Sequence, residues 1–207
     1  MVFYTKEVIF LQYASLETLR AACLDCQKCA LSNTRQNVVF GMGAHNAEIM
    51  FIGEGPGANE DKQGLPFVGA AGQLLDVMLD AVGLSREKNV YIANIVKCRP
   101  PQNRDPDPAE QDACIGWLKA QVGILRPKII VCLGRVAAQK IIDPAFRVTH
   151  QHGEFVERRG VYLMGTYHPA ALLRNPHDKP RAFADFLALR DLIPTVCEHT
   201  TIEGEYL

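Results

Sequence analysis

The sequence predicts an α/β domain, a central parallel sheet with helices on both faces. Three observations point there. Strand-like and helix-like runs alternate along the chain, the order produced when crossover helices connect parallel strands. The strand runs are almost continuously apolar, as strands covered on both faces are. The 207 residues, 48% hydrophobic and 22% charged, suffice for one domain with a sizeable core, and no internal repeat or low-complexity linker divides them.

The elements follow in order. ASLETLRAACLDC has helical apolar spacing, with Ser15 as its N-cap. QNVVFGMG predicts a short strand ending in a turn. AEIMFIG is a buried strand, and GAAGQLLDVMLDAVGL a helix closed near Gly83. NVYIANIV is a second strand, and DPAEQDACIGWLKAQVGIL a helix with Asp107 as N-cap and Pro108 in its first turn. PKIIVCLG and RVAAQKII form the next strand and helix, GVYLMGTYHP a fourth strand, and KPRAFADFLALRDLI the last helix. Ligands in such sheets sit beyond the carboxyl ends of the strands. The residues found there are Gly53 to Gly57, Asn94 and His168.

The formal net charge of -1 excludes a global basic field, so any nucleic-acid contact must come from a local patch. No apolar stretch approaches the length of a membrane span, and the N-terminus lacks the pattern of a secretory signal. A cytoplasmic protein with no membrane partner is expected. In that reducing compartment, seven cysteines suggest a metal before a disulfide.

GEGPGANEDKQGLPFVGAAG, residues 53–72, places six glycines after a strand. It lacks the Lys-Ser/Thr pair of a Walker loop, and Pro56 removes an N–H that a phosphate would need. Glu54, Glu60 and Asp61 also make it acidic. Close backbone beside carboxylates suits a neutral planar ligand or a polarised water; a solvated loop whose glycines serve only turns is the competing reading. In TYHPAALLRNP, Pro169 restricts His168, and a rigid imidazole can donate to charge developing on a leaving group. Leu172 and Leu173 fall in a predicted loop beside Arg174, like a wedge for a base stack next to a phosphate contact. The alternative packs both leucines under the loop and makes His168 a core histidine. Cys26 and Cys29 in CQKC, with Cys98 and Cys114, supply four thiolates, enough for zinc or an iron–sulfur cluster. Cys23 makes a second close pair with Cys26, Cys132 reads as core, and Cys197 has no assignment.

CQKCALSNTRQNVVFG, FIGEGPGANEDKQGLPFVGAAGQLLD, VYIANIVKCRPPQNRDPDPAEQDAC and TYHPAALLRNP, in this order, resemble a family-4 uracil-DNA glycosylase, the iron–sulfur type of bacteria and archaea. The matches span most of residues 26–176. The resemblance implies a three-layer α/β/α fold around a four-stranded parallel sheet. It implies a [4Fe-4S] cluster on Cys26, Cys29, Cys98 and Cys114, structural in role, with Cys23 outside. A single domain over residues 1–207 would have its N-terminal segment, residues 1–25, tied on by that cluster.

The activity implied is monofunctional excision of uracil from single- or double-stranded DNA by a monomer, through base flipping. Glu54 and Gly55 would border the base and the attacking water, Phe67 would stack on the ring, and Asn94 would read its edge. His168 would face the oxygen that becomes negative, and Glu60 would fill the space of a thymine methyl. Glu54 is the expected water-positioning group and Asp61 the runner-up; family 1 uses an aspartate one place further along, where this chain has Gly55. Leu172 and Arg174 are expected DNA contacts; Arg99 and Arg104 would meet phosphates, the competing reading being an ordinary solvated loop.

Two other functions compete. An iron–sulfur DNA-binding or redox-sensing module should have a degraded pocket, whereas Phe67, Asn94 and His168 are all present. A zinc-stabilised nucleotide hydrolase ranks last, since nothing in the sequence supplies a second, carboxylate-rich metal site. A sister group crosslinks covalently to uracil-DNA through a His in an inserted basic loop. RPPQNRDPDPAEQDAC has neither, so free uracil is the expected product. FRVTHQHGEF resembles that group somewhat; His150 and His152 are expected at the surface.

Overall fold

The structure, a computed structural model, describes residues 13–202. The first part of the predicted N-terminal segment, residues 1–12, and residues 203–207 lie outside the described residues. In chain order the elements are α1 (Leu16–Leu24), β1 (Met42–Gly43), β2 (Ile49–Gly53), α2 (Ala58–Gln63), α3 (Ala70–Asp80), β3 (Val90–Asn94) and α4 (Pro108–Leu125). There follow β4 (Ile129–Leu133), α5 (Arg135–Ile141), α6 (Val148–Gln151), β5 (Phe155–Arg158), β6 (Val161–Thr166), α7 (Pro169–Arg174) and α8 (Lys179–Val196).

The sheet order is β1-β3-β2-β4-β6-β5. The four predicted strands form its parallel centre. The sheet has six strands, not four, because β1 and β5 add antiparallel at the two edges. Only Met42 and Gly43 of the predicted QNVVFGMG strand pair with the sheet. β5 joins β6 through Arg159 and Gly160, both at positive φ (54° and 80°), the backbone of a tight hairpin turn that matches strand twist.

Alternation along the strands divides the core into two layers. Met50, Ile52, Tyr91, Ala93, Ile130 and Cys132 face α1, α4 and α5. Ile49, Phe51, Val90, Ile92, Ile129 and Val131 face α3, α7 and α8. Local signals act as expected at two helix starts. Ser15 Oγ accepts from Thr18 N while Thr18 Oγ1 accepts from Ser15 N. At the start of α4, Glu110 accepts from Asp107 N at 2.8 Å.

The TYHPAALLR segment is a helix rather than a loop. Pro169 occupies its first position and His168 caps it. Leu172 is therefore turned into the core with no exposed surface, while Leu173 is 43% exposed. The expected wedge at Leu172 is corrected: helical spacing puts 172 inward and 173 outward.

Candidate active site

A cleft of about 640 Å³ opens at the carboxyl ends of the parallel strands. Glu54, Gly55, Glu60, Phe67, Asn94, His168 and Arg174 all line it, so residues far apart in sequence share one site. Gly53 and Asn94 are register partners on β2 and β3. A β-carbon on Gly53 would stand 2.5 Å from Asn94 Oδ1 and 2.7 Å from Phe67 Cζ, so glycine leaves the room these two side chains use. Asn94 is 1% exposed. Its Oδ1 and the Tyr167 hydroxyl are the buried side-chain polar atoms without a partner among the described residues, and both residues line the cleft. A buried acceptor left unpaired is costly, by about 1–3 kcal/mol, unless something fills it.

Phe67 sits in the left-handed region at φ 53°. Its turn is held from three sides. The buried Arg86 donates to the carbonyls of Pro66 and Phe67, both at 3.0 Å, and is itself fixed by Asp76. Gly72 allows close approach, since a β-carbon there would overlap the Phe67 carbonyl. Glu60 accepts from Val68 N and Gly69 N at 2.9 and 2.8 Å, and from Gly57 N at 3.1 Å. Glu60 thus closes the glycine loop with both carboxylate oxygens while lining the cleft.

His168 faces Phe67, with ring centroids 5.6 Å apart. Its Nδ1 accepts from Ala170 N at 3.1 Å, which leaves the proton of the neutral ring on Nε2. Burial, helped by the nearby Arg174, pushes its pKa down to about 4, so the ring is neutral near pH 7. Glu54 moves the other way. Burial first and the neighbouring Asp105 second raise its pKa to about 7, against the pull of Arg135. Asp105 and Arg135 form an ion pair and also line the cleft. Sequence reasoning missed this pair, which depends on a contact across thirty residues.

Of the other expected residues, Arg104 also lines the cleft, whereas Asp61, Arg99, His150 and His152 are placed elsewhere. Asp61 is buried and accepts from Gln36 N and Asn37 N, at 2.9 and 3.2 Å, so it staples the chain outside the cleft. That removes it as runner-up for the water. Arg104 is held by both oxygens of Glu110 at the start of α4, while Arg99 contacts Asn103. His150 is exposed as expected, but His152 is partly buried. Its Nδ1 lies 2.8 Å from Asp185 Oδ1 and its ring packs on Tyr167.

The cysteine site lies on the α1/α4 side of the sheet. Cys98 is close enough to Cys26 and Cys29 to feel their charge, and Cys114 to Cys98 and Cys26. All are free thiols. N–H groups point at three sulfurs: Trp117 Nε1 at Cys26 (3.2 Å), Lys97 N at Cys114 (3.3 Å) and Arg35 Nη1 at Cys98 (3.3 Å). Such donors stabilise thiolates that bind metal. Burial first, and the neighbouring cysteines after it, push the Cys114 thiol up to about 11 and raise Cys98, so a bound cation is needed to ionise them near neutral pH. Among the described residues no three His, Cys, Asp or Glu side chains converge on a single ion. Neighbouring thiols with aligned N–H donors are a donor set of the kind that holds a thiophilic metal ion or an iron–sulfur group. Cys23, fully buried in the same layer, has its thiol pushed up to about 12, chiefly by burial.

A family profile described as the uracil DNA glycosylase superfamily matches residues 40–189. The chain is similar to the type-4 uracil-DNA glycosylase of Archaeoglobus fulgidus, 45% identical over 186 residues, covering 86% of this chain and 93% of that protein. It is 42% identical over 180 residues to the type-4 uracil-DNA glycosylase of Thermotoga maritima, covering 86% of this chain and 90% of that protein. A type-5 uracil-DNA glycosylase of Pyrobaculum aerophilum is 34% identical over 146 residues, 63% of this chain and 64% of that protein.

Proposed function

The chain belongs to the uracil DNA glycosylase superfamily, and from that premise we propose that its cleft receives deoxyuridine flipped out of DNA. The protein is a DNA-repair glycosylase that hydrolyses the bond between uracil and deoxyribose. The observation that supports this cleft as the site is Asn94, a buried amide with an unpaired Oδ1, framed by Phe67 and a neutral histidine.

Uracil N3–H donates to Asn94 Oδ1, and Asn94 Nδ2 donates to uracil O4. Cytosine presents an acceptor at N3 and a donor at N4, so both ends of the amide are opposed. A site built this way rejects the wrong partner by about 10⁴-fold. The Phe67 ring covers one face of the base, and Glu60, fixed by three backbone amides, stands where a thymine methyl would intrude. When the C1′–N1 bond breaks, its electron pair moves onto uracil and spreads to O2. The His168 Nε2–H, held neutral, donates to that oxygen. Water oxygen bonds to the electron-poor C1′, and its proton passes to the Glu54 carboxylate. A pKa of about 7 leaves that carboxylate partly ionised near neutral pH. Free uracil and an abasic site are the products.

Cys26, Cys29, Cys98 and Cys114 would hold a [4Fe-4S] cluster. Its contribution is a cross-link of α1 and the CQKC segment to α4 and the β3 exit, since hydrolysis needs no electron. Leu173 replaces Leu172 as the apolar group next to Arg174 that meets the DNA. The reading is of one domain acting as a monomer on single- or double-stranded uracil-containing DNA in the cytoplasm; no helix among the described residues is long and apolar enough to cross a membrane.

The test is a labelled oligonucleotide with one uracil, single-stranded or opposite G or A, followed by alkali. Strand breakage at the uracil, reduced in His168→Ala and Asn94→Ala and with no shifted protein band on a denaturing gel, is the expected result. Intact DNA refutes the activity, and a protein–DNA adduct refutes simple hydrolysis.

A further inference from the structure

Uracil in the cleft has its free polar atoms engaged on the reading above: O2 meets His168, and N3 and O4 meet Asn94. One polar atom of the cleft wall is then left over. Tyr167 is 6% exposed, and its hydroxyl is buried without a partner among the described residues, although the residue lines the cleft. A phenol can both donate and accept, and burying it with neither use is costly. The ring is firmly placed. His152 packs on it with ring centroids 4.9 Å apart. His152 Nδ1 lies 2.8 Å from Asp185 Oδ1, and Thr166 Oγ1 donates to Asp185 Oδ2. One buried carboxylate thus joins the end of β6, α8 and the imidazole behind the ring. Gly153, at φ 76°, permits the approach, since a β-carbon there would stand 2.4 Å from Asp185 Oδ1.

The cleft wall also holds a cation. Ala170, Ala171 and Arg174 turn one face of α7 to the cleft. The Asp178 carboxylate, which lines it too, is engaged by Asn175 Nδ2 and Arg181 Nη1, at 2.7 and 3.5 Å, rather than by Arg174. We propose that Tyr167 is a further DNA-binding residue: its hydroxyl donates to a non-bridging phosphate oxygen beside the flipped deoxyuridine, in company with Arg174. This rests on the reading of the cleft given above. The flipped nucleotide offers two other kinds of oxygen. The deoxyribose ring oxygen shares the positive charge that develops as the glycosidic bond breaks, so a donor aimed at it would oppose the reaction. The ester oxygens carry no charge and are weaker acceptors than the non-bridging ones. Phosphate contacts fix register and carry no base information. Tyr167 therefore positions the backbone while its neighbour His168 acts on the base. His152 and Asp185 touch no DNA and are positioning residues.

The test is single-turnover excision from oligonucleotides in which the phosphate on either side of deoxyuridine is replaced by each stereoisomer of a methylphosphonate, which removes one non-bridging oxygen and the charge. Tyr167→Phe keeps the ring and deletes the hydroxyl. On ordinary DNA it should lower kcat/KM about ten-fold, the effect of one hydrogen bond to a charged group. The free variant should melt no lower than wild type, because an unpaired hydroxyl holds nothing in place. One methylphosphonate isomer should cost the wild type about ten-fold more than it costs Tyr167→Phe. His152→Ala should shrink that preference between isomers, whereas a merely structural histidine would lower the melting temperature and leave the preference intact. Equal losses in wild type and Tyr167→Phe for every isomer, the pattern of a hydroxyl that meets the sugar or a bound water, overturn the phosphate contact. Full activity of Tyr167→Phe on ordinary DNA overturns it as well, and an undiminished preference in His152→Ala overturns the positioning role. A wild-type protein that leaves unmodified uracil-containing DNA intact overturns the reading beneath both.

Discussion

Replacing Gly53 with alanine places one methyl where the cleft is built. That carbon would lie 2.5 Å from Asn94 Oδ1 and 2.7 Å from Phe67 Cζ, each well inside ordinary contact. Gly53 is a strand residue without a positive φ, so the backbone accepts alanine and the strain falls on the two side chains. Overpacking of this kind costs about 1–3 kcal/mol. The functional cost reaches the top of that range, because the amide and the ring must move by up to about 1 Å to regain ordinary contact, and a displacement of about 1 Å at a reacting site costs about 100-fold. Gly53→Ala should therefore lower kcat/KM for uracil excision about 100-fold while the protein still melts cooperatively. The control is Gly116→Ala on α4, where nothing lies within 4 Å of the added carbon. Gly116→Ala should raise stability by about 0.5–1 kcal/mol through helix propensity and leave excision unchanged. Single-turnover cleavage of a uracil oligonucleotide, with thermal melts of both variants, measures this. If Gly53→Ala retains wild-type kcat/KM, Asn94 and Phe67 do not read the base together.

Excision should rise with pH through about 7, because Glu54 accepts a proton only when ionised. Asp105→Asn removes a negative neighbour, lowers the Glu54 pKa and should move that limb to lower pH; a kcat/KM profile that stays in place counts against Glu54 as the base. The two leucines should separate cleanly. Leu172→Ala opens a cavity in the core and should cost about 2–5 kcal/mol in a denaturant melt, whereas Leu173→Ala should spare stability and slow excision from duplex more than from single strands. Cys98→Ala should lose visible absorbance and thermal stability together, and a variant that keeps both displaces Cys98 from the cluster.

The parallel centre of the sheet was legible because buried strands and amphipathic helices leave strong periodic signals. The edges were not. FVER alternates too weakly to announce β5, and its turn, Arg159-Gly160, is not one of the usual dipeptides for two positive-φ positions. α2 is a polar run, ANEDKQ, with no apolar stripe to find. α7 did carry a signal: proline at the first position after a capping residue, followed by AALLR. That signal places Leu172 on the inward face of a helix. Asn94 and His168 are legible as strand-end residues and Glu54 as part of the glycine loop, while Phe67 is legible only through the family resemblance. Arg86, Lys97, Asp105 and Asp185 carry no such signal, because a lone charge in sequence looks solvated until its distant partner is known.

Glu54 apart, the base-reading end of the cleft is made from the same backbone as the core. Gly53 and Asn94 face each other across the last rung of a five-residue ladder that is buried along its whole length. On the proposed reading, the amide that meets the base is held by the sheet itself, at the end of a buried strand. Discrimination between uracil and cytosine should accordingly persist as temperature rises and fail only when the sheet itself melts. Fidelity in this protein is a property of its most stable part.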